Sequence, residues 1–362
     1  MSQVTFNNQK KLFFNAINAR VEEYFKERNL KKTGNKKLYL KSIILIIAAL
    51  AAYTVLLTMH LNPFIAAGLC CLFGFLQACI GFNVMHDANH GSYSEKKWIN
   101  NIMGVTANMM GVNAWMWKQK HNIIHHTYTN VDGVDDDIIK PPLLRMCPSQ
   151  KYLKVHRYQY IYCIPVYGLT SLVWTFITDF LKYFEKKIQA TQLWKMKTLE
   201  HFIFWISKVF YCFFYIAVPV YMVGFLPFIF GFTLMHLTMG LTLALVFQLA
   251  HVVEATHFVD AHNHDLKIED EWAVHQVQTT ADFATNNKII SWLTGGLNFQ
   301  IEHHLFPKIS HVHYPVIHKF VKDACLKFSI RHNDYPSMTA ALRSHLRLMK
   351  QLGMQKNSMI TG

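Results

Sequence analysis

Residues Ser42 to His86 read SIILIIAALAAYTVLLTMHLNPFIAAGLCCLFGFLQACIGFNVMH, 45 residues without one Asp, Glu, Lys or Arg. A helix needs about 20 apolar residues to cross the hydrocarbon of a bilayer, so this run holds two crossings. His60-Leu-Asn-Pro63 interrupts it and supplies a turn. The expected spans are 42–60 and 64–85, a tight hairpin. Lys31, Lys32, Lys36, Lys37 and Lys41 stand before it and place the preceding chain inside. The hairpin returns the chain to that side at His86.

A second run, Val209 to Val253, is again 45 residues without a formal charge and is broken by Gly224 and Pro227. It gives spans near 202–223 and 226–249, with Lys208 expected to snorkel its amine to the interface. A third uncharged run, Tyr158 to Thr178, has 21 residues. It contains Pro165 and Gly168, is rich in Tyr, and meets Trp174 and Asp179 at its end.

The rest of the composition agrees with a membrane protein. Hydrophobic residues make up 52% of the 362 and charged residues 16%, with 27 Phe, too apolar for an ordinary soluble chain. The net charge of +14 reads first as cytoplasmic Lys and Arg. A basic face also suits anionic lipid headgroups or an acidic electron donor. No nucleic-acid-binding module accompanies the charge. The seven Cys are scattered without a CxxC, which excludes an iron–sulfur or disulfide framework. No apolar signal-peptide core opens the chain. Asn18 to Lys26 can form an amphipathic helix with Val21, Tyr24 and Phe25 on one face, and Tyr335 to Gly353 a basic one with Leu342, Leu346 and Leu348 inward.

Chemistry is concentrated in three histidine clusters: His86-Asp-Ala-Asn-His90, His121-Asn-Ile-Ile-His125-His126 and Gln300-Ile-Glu-His303-His304. On an α-helix, residues four apart share a face, so His86 pairs with His90 and His121 with His125. His126 and His304 each turn about 100° from the preceding imidazole, and adjacent pairs of this kind can serve two metals. One i, i+4 pair is commonly an accident of packing. Three clusters have no packing rationale, and seven imidazoles exceed one four-coordinate zinc. Imidazole accepts Fe, Zn, Cu and Ni alike, so ligand type leaves the metal open.

HDANHG, KHNIIHHTYTN and GGLNFQIEHHLFP resemble the three histidine boxes of the membrane fatty acid desaturases. The likeness extends through Asp135, Trp272 and Gln276 into SHVHYP, over roughly residues 40–350. Gln300, where many relatives carry His, resembles the front-end desaturases, which place a double bond between an existing one and the carboxyl end. The resemblance implies two non-haem Fe ions and O2 as co-substrate. It also implies an acyl substrate on CoA, acyl carrier protein or lipid, and His86, His90, His121, His125, His126, His303 and His304 as catalytic ligands. Gln300 joins the metal set, as does an eighth His from the end of the last span. His251 holds that place, and His275 is the other candidate. Some relatives carry a fused cytochrome b5. No His-Pro-Gly-Gly motif occurs here, so a separate donor of ferredoxin or cytochrome b5 type is expected.

One metal centre requires all the boxes on one side, so the chain crosses an even number of times between His126 and His303. Three candidate spans lie there, and 158–178 is the one expected to lie along the interface. The expected fold is all-α and integral to the membrane. It has four transmembrane helices as two hairpins, an interfacial helix, and a cytoplasmic helical cap around a two-metal site. The expected division is a cytoplasmic segment at 1–41, the desaturase membrane domain at 42–325 and a basic helical tail at 326–362. Trp98, Trp115 and Trp117 suit the interface. Asp132, Asp135, Asp136 and Asp137 either accept from ligand N–H groups or form a solvated loop. His257, His262 and His264 fall in a polar loop, His311, His313 and His318 support or pack, and Gly295-Gly296 allows close backbone approach. An oxygenase of the same superfamily, such as a lipid or carotenoid hydroxylase, and a His-rich membrane metal transporter are the competing readings. The transporter needs polar groups within the spans, where His236 is an isolated case.

Overall fold

The computed structural model describes residues 4–139, 142–189, 191–262 and 266–354. Its helices include four that are long and apolar enough to cross a membrane: Lys36–Thr58, Pro63–His90, Thr198–Val223 and Phe225–His251, here spans 1 to 4. The third is the least buried against protein, and Phe202, Val209 and Phe213 on it and Phe230 on span 4 stay exposed. Such faces are stable only with lipid as their solvent.

The span ends follow local chemistry. Span 1 starts at Lys36, ahead of the uncharged run, because the Asn35 side chain accepts from Lys37 N at 3.0 Å and Leu38 N at 3.3 Å. Span 2 starts at Pro63, where a missing N–H costs nothing, with Asn62 accepting from Phe64 N at 2.9 Å. Spans 2 and 4 approach closely at Gly74, where a Cβ would lie 2.2 Å from the Met235 carbonyl oxygen.

The 158–178 run lies in a helix pair, Lys154–Gly168 and Thr170–Glu185, bent by 57° at Leu169. Lys208 does not snorkel. It is buried, and its ammonium donates to Asp179 Oδ2 at 2.8 Å, Gly111 O at 2.7 Å and Thr175 O at 3.1 Å. Asp179, on the bent helix, gives that charge an internal partner, so reaching the interface gains nothing.

The polar segments pack through apolar faces of their own. The N-terminal helix is longer than its amphipathic pattern suggested, Leu12–Glu27. It buries Phe13, Ile17, Val21 and Phe25 at four-residue spacing against Ala273, Ile317 and Val321. The C-terminal helix runs Met338–Met354, with Leu342 and Leu346 packed inward. Short β pairs stitch distant loops. Val131–Asp132 pairs in parallel with Val259–Asp260, and Asp282–Phe283 with Asp334–Tyr335.

Candidate metal centre

His86 emerges at the end of span 2. A π-helical turn, Gly81–Met85, precedes it, and the chain returns to α-helix over His86–His90. The four-residue spacing then puts the His86 and His90 rings 4.6 Å apart.

The second box is built differently. Gln119–His125 is π-helical, and His126 N donates to His121 O. An i+5 bond shifts the facing residue by one. His121 therefore meets His126, with Nε2 atoms 3.2 Å apart. His125, expected on the face of His121, turns toward His251 and His304, at 4.7 and 4.9 Å between rings. The expected His121–His125 pairing is kept, with the rings stacked 5.3 Å apart, and the widened turn adds His126 beside His121.

The third box is brought in by backbone contact. Gly295 has φ +60°, and a Cβ there would lie 2.5 Å from Phe82 O in the π turn of span 2. Asn83 Nδ2 donates to Leu293 O at 2.9 Å and Cys79 O at 2.8 Å. Box three is thus pinned beside box one although more than 200 residues separate them. His303 lies 4.4 Å from His86 and 4.5 Å from His126, and His304 lies 4.4 Å from His126 and 5.0 Å from His251.

Two groups of ligand atoms result. One is His86, His90, His121 and His303, and the other is His125, His251 and His304, each within 4.8 Å, with His126 reaching both His303 and His304. Hydrogen bonds aim the rings from behind. His125 Nδ1–H donates to Asp135 Oδ2 at 3.0 Å. His304 Nδ1–H donates to Gln276 Oε1 at 2.8 Å, an oxygen that Thr129 also donates to. His303 Nδ1 pairs with the Tyr314 hydroxyl at 3.1 Å. The Nε2 atoms of His90, His125, His303 and His304, Nδ1 of His126 and His251, and both nitrogens of His86 are buried without a hydrogen-bond partner among the described residues. Buried polar atoms are normally satisfied, so this set fits a pair of metal ions held by neutral imidazoles. Burial and neighbouring imidazoles pull His121, His126, His303 and His304 well below the usual His range, which keeps lone pairs free. At His125, burial pulls down and Asp135 outweighs it, so the group is raised.

The structure sorts the remaining candidates. Gln300 Nε2 stands 2.9 Å from His251 Nε2, inside the cluster. His275 does not join it; its Nε2–H donates to Thr129 O at 2.9 Å. Asp135 is buried behind His125, while Asp136 and Asp137 pair with Lys182 and Lys120. Asp132 accepts from Ser149 and Gln150 and lies 3.1 Å from the half-exposed His262. His311 bridges Asp87 of box one at 3.0 Å and Lys41 of span 1 at 3.0 Å. His236 is packed, between Tyr211 OH at 2.7 Å and Ser171 Oγ at 2.9 Å. His264 lies outside the described residues. Trp98 is exposed, but Trp117 is buried and stacks on His121 at 4.3 Å. Trp117 and Phe247, which lies 4.5 Å from His251, form apolar walls that an interfacial or lipid-facing reading of such residues misses. A cleft of about 630 Å³ lined by Tyr53, His60, Tyr215 and Phe228 opens at the far ends of the spans. Its lining reaches Phe73 on span 2, about 20 Å of helix from His86.

The fatty acid desaturase family model matches residues 61–336. This chain belongs to the fatty acid desaturase family. It is 35% identical over 353 residues to a Synechocystis sn-1 linoleoyl-lipid 6-desaturase, covering 95% of this chain and 96% of that one. It is 36% identical to its Arthrospira platensis counterpart, over 97% and 95% of the two chains. A Physcomitrium patens acyl-lipid (8-3)-desaturase is 35% identical over 94% of this chain and 72% of its own length. The protein is an integral membrane fatty acyl desaturase, an oxidoreductase of lipid metabolism. Its family generally uses two irons, and the buried imidazole groups are compatible with them.

Proposed function

We propose that this desaturase acts at the front end of a lipid-linked polyunsaturated acyl chain, inserting a cis double bond on the carboxyl side of an existing one, with a linoleoyl group of a glycerolipid as substrate. The observation that carries the reading is the convergence of eight imidazoles, seven from the boxes and His251, beside Gln300. The names of the similar chains point to the lipid carrier and the 6 position.

His86, His90, His121 and His303 would hold one iron, and His125, His251 and His304 the other, with His126 between them. Gln300 lies within the set and orients or weakly coordinates beside His251. The bound irons would supply O2 activation, which an unactivated methylene requires because it has neither an acidic proton nor a leaving group. The balance is –CH2–CH2– plus O2, two electrons and two protons to –CH=CH– plus two waters. The chain's own residues aim the imidazoles, through Asp135, Gln276 and Tyr314. They also keep the site dry between Trp117 and Phe247, and fix one C–C bond against it, where a one-carbon error in register changes the product.

The electrons come from a separate ferredoxin- or cytochrome b5-type donor, and the basic surface suits an acidic one. The site faces the cytoplasm. Two spans between boxes two and three bring the chain back to one side, and the sharply bent 154–185 pair lies along the interface rather than crossing. Residues 42–325 form the catalytic unit, against which the helices Leu12–Glu27 and Met338–Met354 pack.

The test is fatty acid profiling of a host that lacks polyunsaturated lipids, expressing the chain and fed oleate or linoleate. Linoleate should gain a double bond at carbon 6 in the lipid-bound pool first. A new bond only on the methyl side, or only in the acyl-CoA pool, overturns the reading. With 18O2, labelled lipid would identify hydroxylation instead.

A further inference from the structure

Behind the third box, on the far side from its imidazoles, lies a second cluster of ligand-type side chains: Asp282, Glu302, His318 and His332. They come from four separate places in the cap. Asp282 begins the short strand paired with Asp334–Tyr335, Glu302 is on the box-three helix, His318 is on the helix Tyr314–Lys327, and His332 precedes the strand. Asp282 and Glu302 are completely buried.

We propose that these four residues form a structural divalent-cation site of N2O2 type, best suited to zinc and distinct from the catalytic pair. His318 Nδ1 lies 3.1 Å from Asp282 Oδ2 and 3.2 Å from Glu302 Oε1, and His332 Nε2 lies 3.4 Å from Asp282 Oδ2. A tetrahedral ion with bonds of about 2.0–2.1 Å has ligand–ligand edges of about 3.3 Å, so these separations need almost no adjustment.

The protein alone satisfies the cluster badly. One N–H on His318 Nδ1 faces two carboxylates. Among the described residues, Glu302 Oε2 and Asp282 Oδ2 are buried without a hydrogen bond, and so are both ring nitrogens of His332. The His332 side chain is only 9% exposed and its Nε2 is aimed at Asp282. Charge gives the same answer. Two carboxylates and two neutral imidazoles around one divalent ion sum to zero, whereas His318 protonated alone leaves one buried negative charge. Nitrogen and oxygen donors in equal number, without thiolate or water-exposed carboxylates, suit zinc more than magnesium or calcium.

The site would lock the box-three helix from behind. Asp282 Oδ1 accepts from Ile301 N at 3.0 Å, so one carboxylate grips the backbone of that helix while the ion grips Glu302.

The test is elemental analysis of the full chain, expressed with iron and zinc salts and purified in detergent. About one zinc per chain is expected in addition to iron. His332→Gln should lower zinc to less than about a tenth and leave iron in place, and His332→Cys, which keeps a zinc donor, should retain it. His121→Ala should strip iron and keep zinc. Iron-loaded wild-type protein without zinc overturns the proposal. So does equal zinc in wild type and His332→Gln, or loss of zinc in both His332 variants. Zinc and iron are counted separately, so failure here and failure of the di-iron reading are distinguishable.

Discussion

The two imidazole groups are held in different ways. His125 and His304, in the second group, each have a polar anchor behind the ring, Asp135 for one and Gln276 with Thr129 for the other. In the first group His86 has neither ring nitrogen hydrogen-bonded among the described residues. It is positioned by the α turn after the π segment and by rings around it, with Trp117 5.6 Å away. In the first group only His303 has such an anchor, the Tyr314 hydroxyl, so His125 and His304 are aimed by hydrogen bonds and His86 by backbone and packing. The difference teaches that a single centre can be pre-organised by two kinds of force, and that they fail differently under mutation.

The largest expected effect erases the comparison altogether. His121→Ala removes a ligand from the first group and a neighbour of His126, and should abolish desaturation and lower bound iron. Full activity would refute the role of that box. Next comes Asp135→Asn, which keeps shape but removes the charge behind His125. It should cost about 10–100-fold in metal affinity, read by iron retention against a chelator.

Gly295→Ala should act on the first group through the backbone. The φ of +60° and the 2.5 Å approach to Phe82 O both oppose a Cβ, so stability should fall by more than the about 1 kcal/mol of an ordinary strained glycine site. The readout is thermal unfolding in detergent. Unchanged stability would mean that box three is not pinned there. Gln300→His probes the second group more gently. Measurable activity with iron retained would assign Gln300 a weak or orienting role, and total loss would show that its hydrogen bond to His251 matters. The smallest effect is expected at His275→Gln. Its ring bonds a backbone carbonyl outside both groups, so iron content should not change, and loss of iron would move His275 into the site.

Much of this was legible in the sequence because periodicity and charge are local properties. The two 45-residue uncharged runs fixed four spans, and Gly295-Gly296 announced close backbone approach. What was not legible depends on departures from regular helix or on distant partners. The i, i+4 rule paired His121 with His125, which do stack, but it did not show that the π turn also brings His126 against His121. Lys208 read as a snorkelling residue because Asp179, 29 positions earlier, could not be seen to reach it. Trp117 read as interfacial because composition cannot separate a ring that meets headgroups from one that stacks on an imidazole. His332 sits in no motif, and its place opposite Asp282 exists only in the folded cap.

The central claim is that distant imidazoles gather around two irons in one site. Quantitative metal analysis of the purified wild-type chain, paired with the same analysis of His86→Ala and His125→Ala, tests it most directly. The account predicts about two irons per chain in the wild type and a loss in each variant, since each removes a ligand from a different group. A wild-type chain that retains full desaturase activity with one iron or none would contradict it.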